Sequence, residues 1–94
     1  MRIVKWEIAE DFARKQSRAR KPLETWRATV QAMSWRNIAD VRGTFNTVDY
    51  TKQGNFIFNL RTNAFRLVAR IDFTAQIVRL THTLTHAEYD KEDF

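Results

Sequence analysis

The chain has 94 residues, 44% of them hydrophobic, with a formal net charge of +5 and no cysteine. This length predicts a single domain over residues 1–94. The lack of cysteine excludes disulfide bonds, thiolate nucleophiles and zinc-thiolate sites. There is no run of 18 apolar residues, and the early charges at Arg2 and Lys5 argue against a signal peptide. We therefore expect a cytoplasmic protein with no membrane partner.

The charge is unevenly distributed along the chain. Residues 86–94 carry four acidic side chains against one lysine, so residues 1–85 have a net charge of +8. A basic body on a small domain favours a polyanionic partner such as a nucleic acid. The alternative interpretation is an ordinary basic surface that only keeps the protein in solution.

The first half of the chain predicts one short strand followed by three helices. Residues 2–5 form the strand, and a helix begins at Trp6, where apolar residues recur at helical spacing. The second helix spans residues 22–33, because proline is favoured in the first turn of a helix. A short third helix over residues 34–41 is capped by its serine and ended by Gly43.

The second half changes from a helical period to the alternation typical of strands. Three segments alternate in this way, and an edge strand over residues 47–51 could precede them. The connections between the segments are short enough for two-residue hairpin turns, which would make neighbouring strands antiparallel. We predict an α+β fold with N-terminal helices packed on one face of a three- to four-stranded antiparallel sheet. The segments are 55–61, 64–73 and 76–84, and the turns are Thr62-Asn63 and Thr74-Ala75.

Alternation also assigns side chains to the two faces of this sheet. The core-facing rows contain large apolar residues. The same alternation predicts that the side chains of His82 and Leu84 point into the core. The opposite face is basic and rich in hydroxyl groups, which suits contact with a phosphate backbone. Its alternative interpretation is an ordinary solvated sheet face. The outward residues are Asn59, Arg61, Arg66, Arg70, Asp72, Arg79, Thr81 and Thr83.

Three residues near predicted strand ends could carry the chemistry of RNA cleavage, which uses a base, an acid and a cation near the phosphate. Arg66 is the candidate cation, because a guanidinium stays charged and can bind phosphate through two N–H groups. His86 is the candidate acid or base, because histidine changes charge near neutral pH. Tyr89 could stack on a base or share in proton transfer. The structural alternatives are a surface arginine, a capping histidine and a core-edge aromatic.

A metal site and an aromatic interface residue are two further possibilities. His82 and His86 are four residues apart, but His82 lies in a predicted strand, where this spacing does not bring side chains together. We therefore predict no metal ligands and no cofactor. Trp35 lies in a predicted loop, so we expect it to be partly exposed and available to a protein interface.

Two motifs resemble those of a known family. Residues 59–67 read Asn-x-x-x-Asn-x-x-Arg-Leu and residues 85–90 read Thr-His-x-x-Tyr-Asp. Together they resemble the HigB-type toxins of the RelE-like superfamily. The resemblance implies a metal-independent mRNA interferase that cleaves mRNA, typically on the translating ribosome. It also implies a helix-turn-helix antitoxin (HigA-like) as partner, through which alone the toxin would contact DNA.

The resemblance also implies roles for the motif residues. Arg66 would bind the phosphate, and His86 with Tyr89 would serve proton transfer or base stacking. Asp90 would orient His86 or cap backbone groups, and Asn59 and Asn63 would alternatively hold the loop and the strand ends. The candidates for RNA binding, taken from the motifs and the basic face together, are Asn59, Arg61, Asn63, Arg70 and Arg79.

Thr62 departs from the family pattern, which usually has glycine at this position. A turn that needs a positive φ there would be strained by threonine. Two other functions remain open at the level of the sequence. The chain could be a non-catalytic module that binds RNA or the ribosome, or an interaction module whose basic face serves an acidic protein partner.

Overall fold

The computed structural model describes all 94 residues and has an α+β fold. The early residues form most of the helices, and the later residues form most of the sheet. No helix has the length and apolar character needed to cross a bilayer. The elements are β1 (Arg2–Val4), α1 (Glu7–Lys15), a 3-10 turn (Ser17–Ala19), α2 (Arg20–Gln31), α3 (Ile38–Thr44), β2 (Asp49–Tyr50), β3 (Phe56–Leu60), β4 (Phe65–Asp72), β5 (Ile77–Thr85) and α4 (His86–Asp90).

The sheet has five strands in the order β1-β5-β4-β3-β2. Strands β2 to β5 pair antiparallel, but β1 pairs with β5 in parallel, with Ile3 opposite Val78. The prediction of a three- to four-stranded antiparallel sheet was therefore wrong in size and in direction. The reason is that short connections predict only antiparallel neighbours, whereas β1 reaches β5 across most of the chain.

The helical region agrees with the prediction in outline and differs at its third helix. Pro22 lies in the first turn of α2, as expected. The third helix begins at Ile38, and its cap is Asn37 rather than Ser34: the Asn37 side chain accepts a hydrogen bond from the Asp40 amide at 2.9 Å. Asparagine is among the strongest N-capping residues, so it sets the start of this helix.

Aromatic side chains join the helices to the inner face of the sheet. Trp26 on α2 stacks on Trp6 at 6.4 Å between ring centroids and meets Phe58 on β3 edge-on at 5.3 Å. Trp35, which we expected to be partly exposed, is only 2% exposed, and its indole N–H donates to the Thr44 hydroxyl at 3.0 Å. A buried indole needs such an acceptor, so Trp35 is a core residue and not part of an exposed interface.

A β-bulge at Thr81 reverses the faces of the last strand. Val68 lies opposite His82 and Ala69 lies opposite Leu80, so Thr81 is the extra residue on β5. An extra residue shifts the side-chain alternation by one position. His82 is therefore exposed on the outer face, and Leu84 lies on the same face opposite Arg66, whereas Thr83 is buried. The predicted orientations of these three residues after the bulge were wrong.

The two hairpin loops have four residues each, not the two that we predicted. Leu60 pairs with Phe65 across the first loop, and Asp72 pairs with Ile77 across the second. The first loop turns through two residues of positive φ, Arg61 at 50° and Thr62 at 61°. Since a β-branched side chain is disfavoured in this region, Thr62 stores backbone strain at the position where the family pattern has glycine.

We expect Thr62→Gly to raise the free energy of unfolding by roughly 0.5–1 kcal/mol, because release of the strain exceeds the extra entropy of glycine in the unfolded chain. Urea denaturation followed by circular dichroism measures the change. Thr74→Gly in the second loop is the matched control, because Thr74 has no positive φ. The control should not stabilise the protein. Equal effects of both substitutions would contradict strain at Thr62.

Candidate functional site

Arg66 on β4 is the centre of the candidate site. Only 8% of this residue is exposed, although its side chain is charged. Its Nη1 donates to the main-chain carbonyl of Asn63 at 3.0 Å and to that of Phe65 at 3.3 Å. Both acceptors lie at the end of the first hairpin loop, so the loop holds the guanidinium in place through its backbone rather than through side chains.

His86, the first residue of α4, lies directly beside this guanidinium. Its Nδ1 is 3.0 Å from Arg66 Nη2, and its Nε2 is 3.3 Å from an oxygen of Asp90. Arginine can only donate, so Nδ1 accepts, and in the neutral imidazole the proton is on Nε2, the nitrogen nearer to the Asp90 carboxylate. Arg66, His86 and Asp90 therefore form one cluster, in which Arg66 is hydrogen-bonded to His86 and the Asp90 carboxylate lies within ion-pair distance of the imidazole.

The start of α4 fixes His86 and Asp90 on the same side of a single turn. The Thr85 hydroxyl accepts from the Glu88 amide at 3.2 Å, and the Glu88 carboxylate accepts from the Thr85 amide at 2.9 Å. This capping box satisfies two donors that a helix start leaves free. The His86 amide donates to the Ala64 carbonyl at 3.1 Å, which joins α4 to the same hairpin loop that holds Arg66.

Tyr89 completes the cluster and links it to the end of the chain. Its ring lies 5.4 Å from Arg66 Cζ, a cation–π distance, and it stacks in parallel on Phe94 at 5.6 Å. Phe94 also contacts His82 at 5.0 Å. The main-chain oxygen of Phe94 accepts hydrogen bonds from the Thr51 hydroxyl at 2.6 Å and from the Asn55 side-chain amide at 2.9 Å. The Tyr89 ring thus already has an aromatic partner within the chain.

The outer face of the sheet is less open than the alternation of the sequence predicted. Ile57 and Val68 point to this face and are fully buried, as is most of Arg66. The exposed part of the cluster is at α4, where the side chains of His86 and Asp90 are 54% and 58% exposed. A ligand would therefore reach the cluster from the side of α4.

The other predicted RNA-binding residues lie outside this cluster. The Asn59 side chain donates to the main-chain carbonyl of Thr47 at 3.1 Å and so holds the segment that leads into β2. Asn63 contributes its carbonyl to Arg66, and its side chain is exposed. Arg61 is exposed at the start of the hairpin loop.

Arg70 and Arg79 form a separate basic pair. They lie directly opposite each other on β4 and β5, both exposed, and neither makes an ion pair. One Arg70 nitrogen is bound to the Gln53 carbonyl at 2.7 Å. Like charges opposite each other destabilise a sheet unless an anion lies between them.

Sequence reasoning missed two parts of the site. The Thr85-x-x-Glu88 spacing is the sequence pattern of a capping box and could have located the start of α4. The hydrogen bonds of Phe94 with Thr51 and Asn55 have no comparable signal, because they join residues about forty positions apart. No three His, Asp or Glu side chains come close enough together to hold a metal ion.

A protein-family model matches most of this chain and identifies its family. A family model described as HigB_toxin, the RelE-like toxic component of a toxin–antitoxin system, matches residues 19–92. The chain belongs to the HigB toxin family. The match covers every element from α2 to α4, including the whole Arg66–His86–Asp90 cluster. Membership in this family implies an antitoxin partner. No curated protein matches the chain significantly.

We expect Arg66→Lys to lower the free energy of unfolding of this HigB-family protein by roughly 2–3 kcal/mol. An ammonium group cannot reach the Asn63 and Phe65 carbonyls and His86 with the geometry of a guanidinium, so these acceptors, of which the Phe65 carbonyl is buried, lose donors. Urea denaturation measures the loss. Arg79→Lys, on the same face but exposed, is the matched control and should change stability by less than about 0.5 kcal/mol. Equal small effects would mean that the hydrogen bonds of Arg66 do not stabilise the fold.

Proposed function

We propose that this HigB-family toxin is a metal-independent endoribonuclease that cleaves mRNA on the translating ribosome, in the cytoplasm, and thereby inhibits translation and growth. We further propose that all 94 residues act as a single domain and that a helix-turn-helix antitoxin neutralises it. The observation that carries the proposal is the Arg66–His86–Asp90 cluster, in which Arg66 is hydrogen-bonded to His86 at 3.0 Å and an Asp90 oxygen lies 3.3 Å from His86 Nε2. It joins a phosphate-binding cation, a proton acceptor and a carboxylate that orients the acceptor.

Arg66 is suited to bind the scissile phosphate. Three of its five N–H groups are used within the protein, by two carbonyls and His86, which leaves Nε–H and one Nη2–H without an acceptor. The guanidinium would donate to the non-bridging phosphate oxygens and stabilise the charge that develops on them as the 2′-oxygen attacks. Because the loop carbonyls hold it, little reorganisation is needed.

His86 is suited to move the proton. A phosphate that takes over the Nη2 hydrogen bond would free Nδ1, which then accepts the proton of the 2′-hydroxyl as its oxygen attacks phosphorus. The P–O5′ bond breaks, a 2′,3′-cyclic phosphate forms, and the imidazolium returns the proton to the 5′-oxygen. Asp90 would fix the tautomer and stabilise the imidazolium through Nε2. Tyr89 would position Arg66 through its ring and offer a face to a base if Phe94 is displaced.

The Arg70–Arg79 pair supports contact with the RNA backbone beyond the cleaved bond. Both cations lie on the strands that lead away from Arg66, and a phosphate between them would relieve their mutual repulsion. The same pair fits a non-catalytic toxin that blocks translation by binding RNA or the ribosome, so the deciding measurement is cleavage of the message.

We expect induced expression of the protein in a bacterium to arrest growth and to create new mRNA 5′ ends phased with codons. Arg66→Ala and His86→Ala should each lower the rate of cleavage by about 10²–10⁴-fold, because each removes a group that acts in the transition state. Primer extension on mRNA measures the new ends, and circular dichroism of the purified variants checks that they fold.

His82→Ala is the matched control, because His82 is the other histidine of the chain and forms no hydrogen bond with Arg66. It should retain at least about a third of the cleavage. Arrest of growth with intact mRNA would replace cleavage with a translation block. Full cleavage by folded Arg66→Ala and His86→Ala variants would show that the proposed roles are wrong.

The affinity for RNA provides an independent test of the basic pair. Arg79→Gln should weaken the binding of a single-stranded RNA similarly across sequences and reduce the slope of log K against log salt by about 0.7, the value for one lost phosphate contact. Fluorescence anisotropy over a salt series measures both. Arg42→Gln on α3 carries the same charge change away from the pair and should leave the slope unchanged. Equal slopes for the parent, Arg79→Gln and Arg42→Gln would show that Arg79 does not contact the RNA.

A further inference from the structure

A groove of about 540 Å³ lies on the helical side of the molecule, apart from the Arg66 cluster. We call it the α2 groove. The 3-10 turn and the first turns of α2 form one wall, and the end of β3 with the start of the hairpin loop forms the other. Its rim carries Arg18, Lys21 and Arg61, and its floor includes Trp26, Phe45 and Leu60. The volume is in the range of pockets that enclose several side chains of a ligand.

The rim of the α2 groove is uniformly positive. Arg18, Lys21 and Arg61 are exposed, none of them makes an ion pair, and no Asp or Glu lines the groove. The acidic residues of the C-terminal segment lie elsewhere, around Tyr89 and Phe94. An occupant with negative charge would therefore be attracted to this rim without competition from the protein itself.

The floor favours apolar side chains over nucleobases. Trp26 is 2% exposed, and its ring already packs on Trp6 and Phe58, so it offers no free face for a base to stack on. Leu60 is 6% exposed and adds aliphatic surface. The indole N–H of Trp26 is buried without an acceptor in the protein, which carries a free-energy cost.

We propose that the α2 groove binds an acidic segment of the antitoxin that inserts an apolar side chain between α2 and the end of β3. Carboxylates of the segment pair with Arg18, Lys21 and Arg61, and the apolar side chain covers the floor. Negative charge with an apolar anchor matches both the rim and the floor, whereas RNA matches only the rim. The proposal rests on the antitoxin partner that the family implies and does not require ribonuclease activity.

The test measures binding of the antitoxin encoded by the neighbouring open reading frame. Every toxin variant is made in a His86→Ala background so that it can be purified alone. The double variant Arg18→Glu/Lys21→Glu should raise the Kd at least about tenfold and flatten its salt dependence. Arg2→Glu/Arg42→Glu has the same change in charge outside the groove, and its Kd should stay within about threefold of the parent.

A second variant tests the floor independently of charge. Thr29→Trp places an indole in the α2 groove and should raise the Kd at high salt as well, where the rim is screened. Thermal melts establish that each variant folds, and if Thr29→Trp does not, the charge-reversal pair decides alone. Unchanged affinity of folded Arg18→Glu/Lys21→Glu would overturn the proposal. So would loss of mRNA cleavage by this pair in the His86-containing chain with antitoxin affinity intact, which would make the groove part of the RNA path.

Discussion

Arg66 is the only charged residue that this fold buries, and its guanidinium constrains three elements at once. Burying a charge is costly unless hydrogen bonds replace its contacts with water, and three of the five N–H groups of Arg66 have such bonds within the protein. Here the acceptors come from the end of the hairpin loop and from His86, while Tyr89 adds a ring within cation–π distance. The loop, β4 and α4 must therefore keep their relative positions for the arginine to remain where it is.

The short helix α4 could not hold His86 and Asp90 in place by itself. Five residues are far below the length at which an isolated helix is stable in water. Its stability comes from the Thr85–Glu88 capping box at one end and from the packing of Tyr89 on Phe94 at the other. The precision of the cluster thus depends also on Thr85, Glu88 and Phe94, which have no part in the proposed chemistry.

The sequence predicted the fold best where the constraints are local. The α+β class, the core rows of β3 and β4 and the place of Pro22 follow from periodicity and proline stereochemistry. The motifs identified Arg66, His86, Tyr89 and Asp90, which the structure brings together. The parallel partner of β1 and the contacts of Phe94 could not be predicted, because both depend on residues that are distant in the chain.

The bulge at Thr81 makes the number of residues in β5 as important as their identity. It lies four residues before the end of the strand, so everything after it, including the approach to His86, depends on the one extra residue. A family member with one residue fewer at this point would keep both motifs intact and still present its histidine from the other face of the sheet. When HigB-family sequences are aligned, a gap inside this strand therefore indicates a larger difference in the orientation of the site than several substitutions elsewhere.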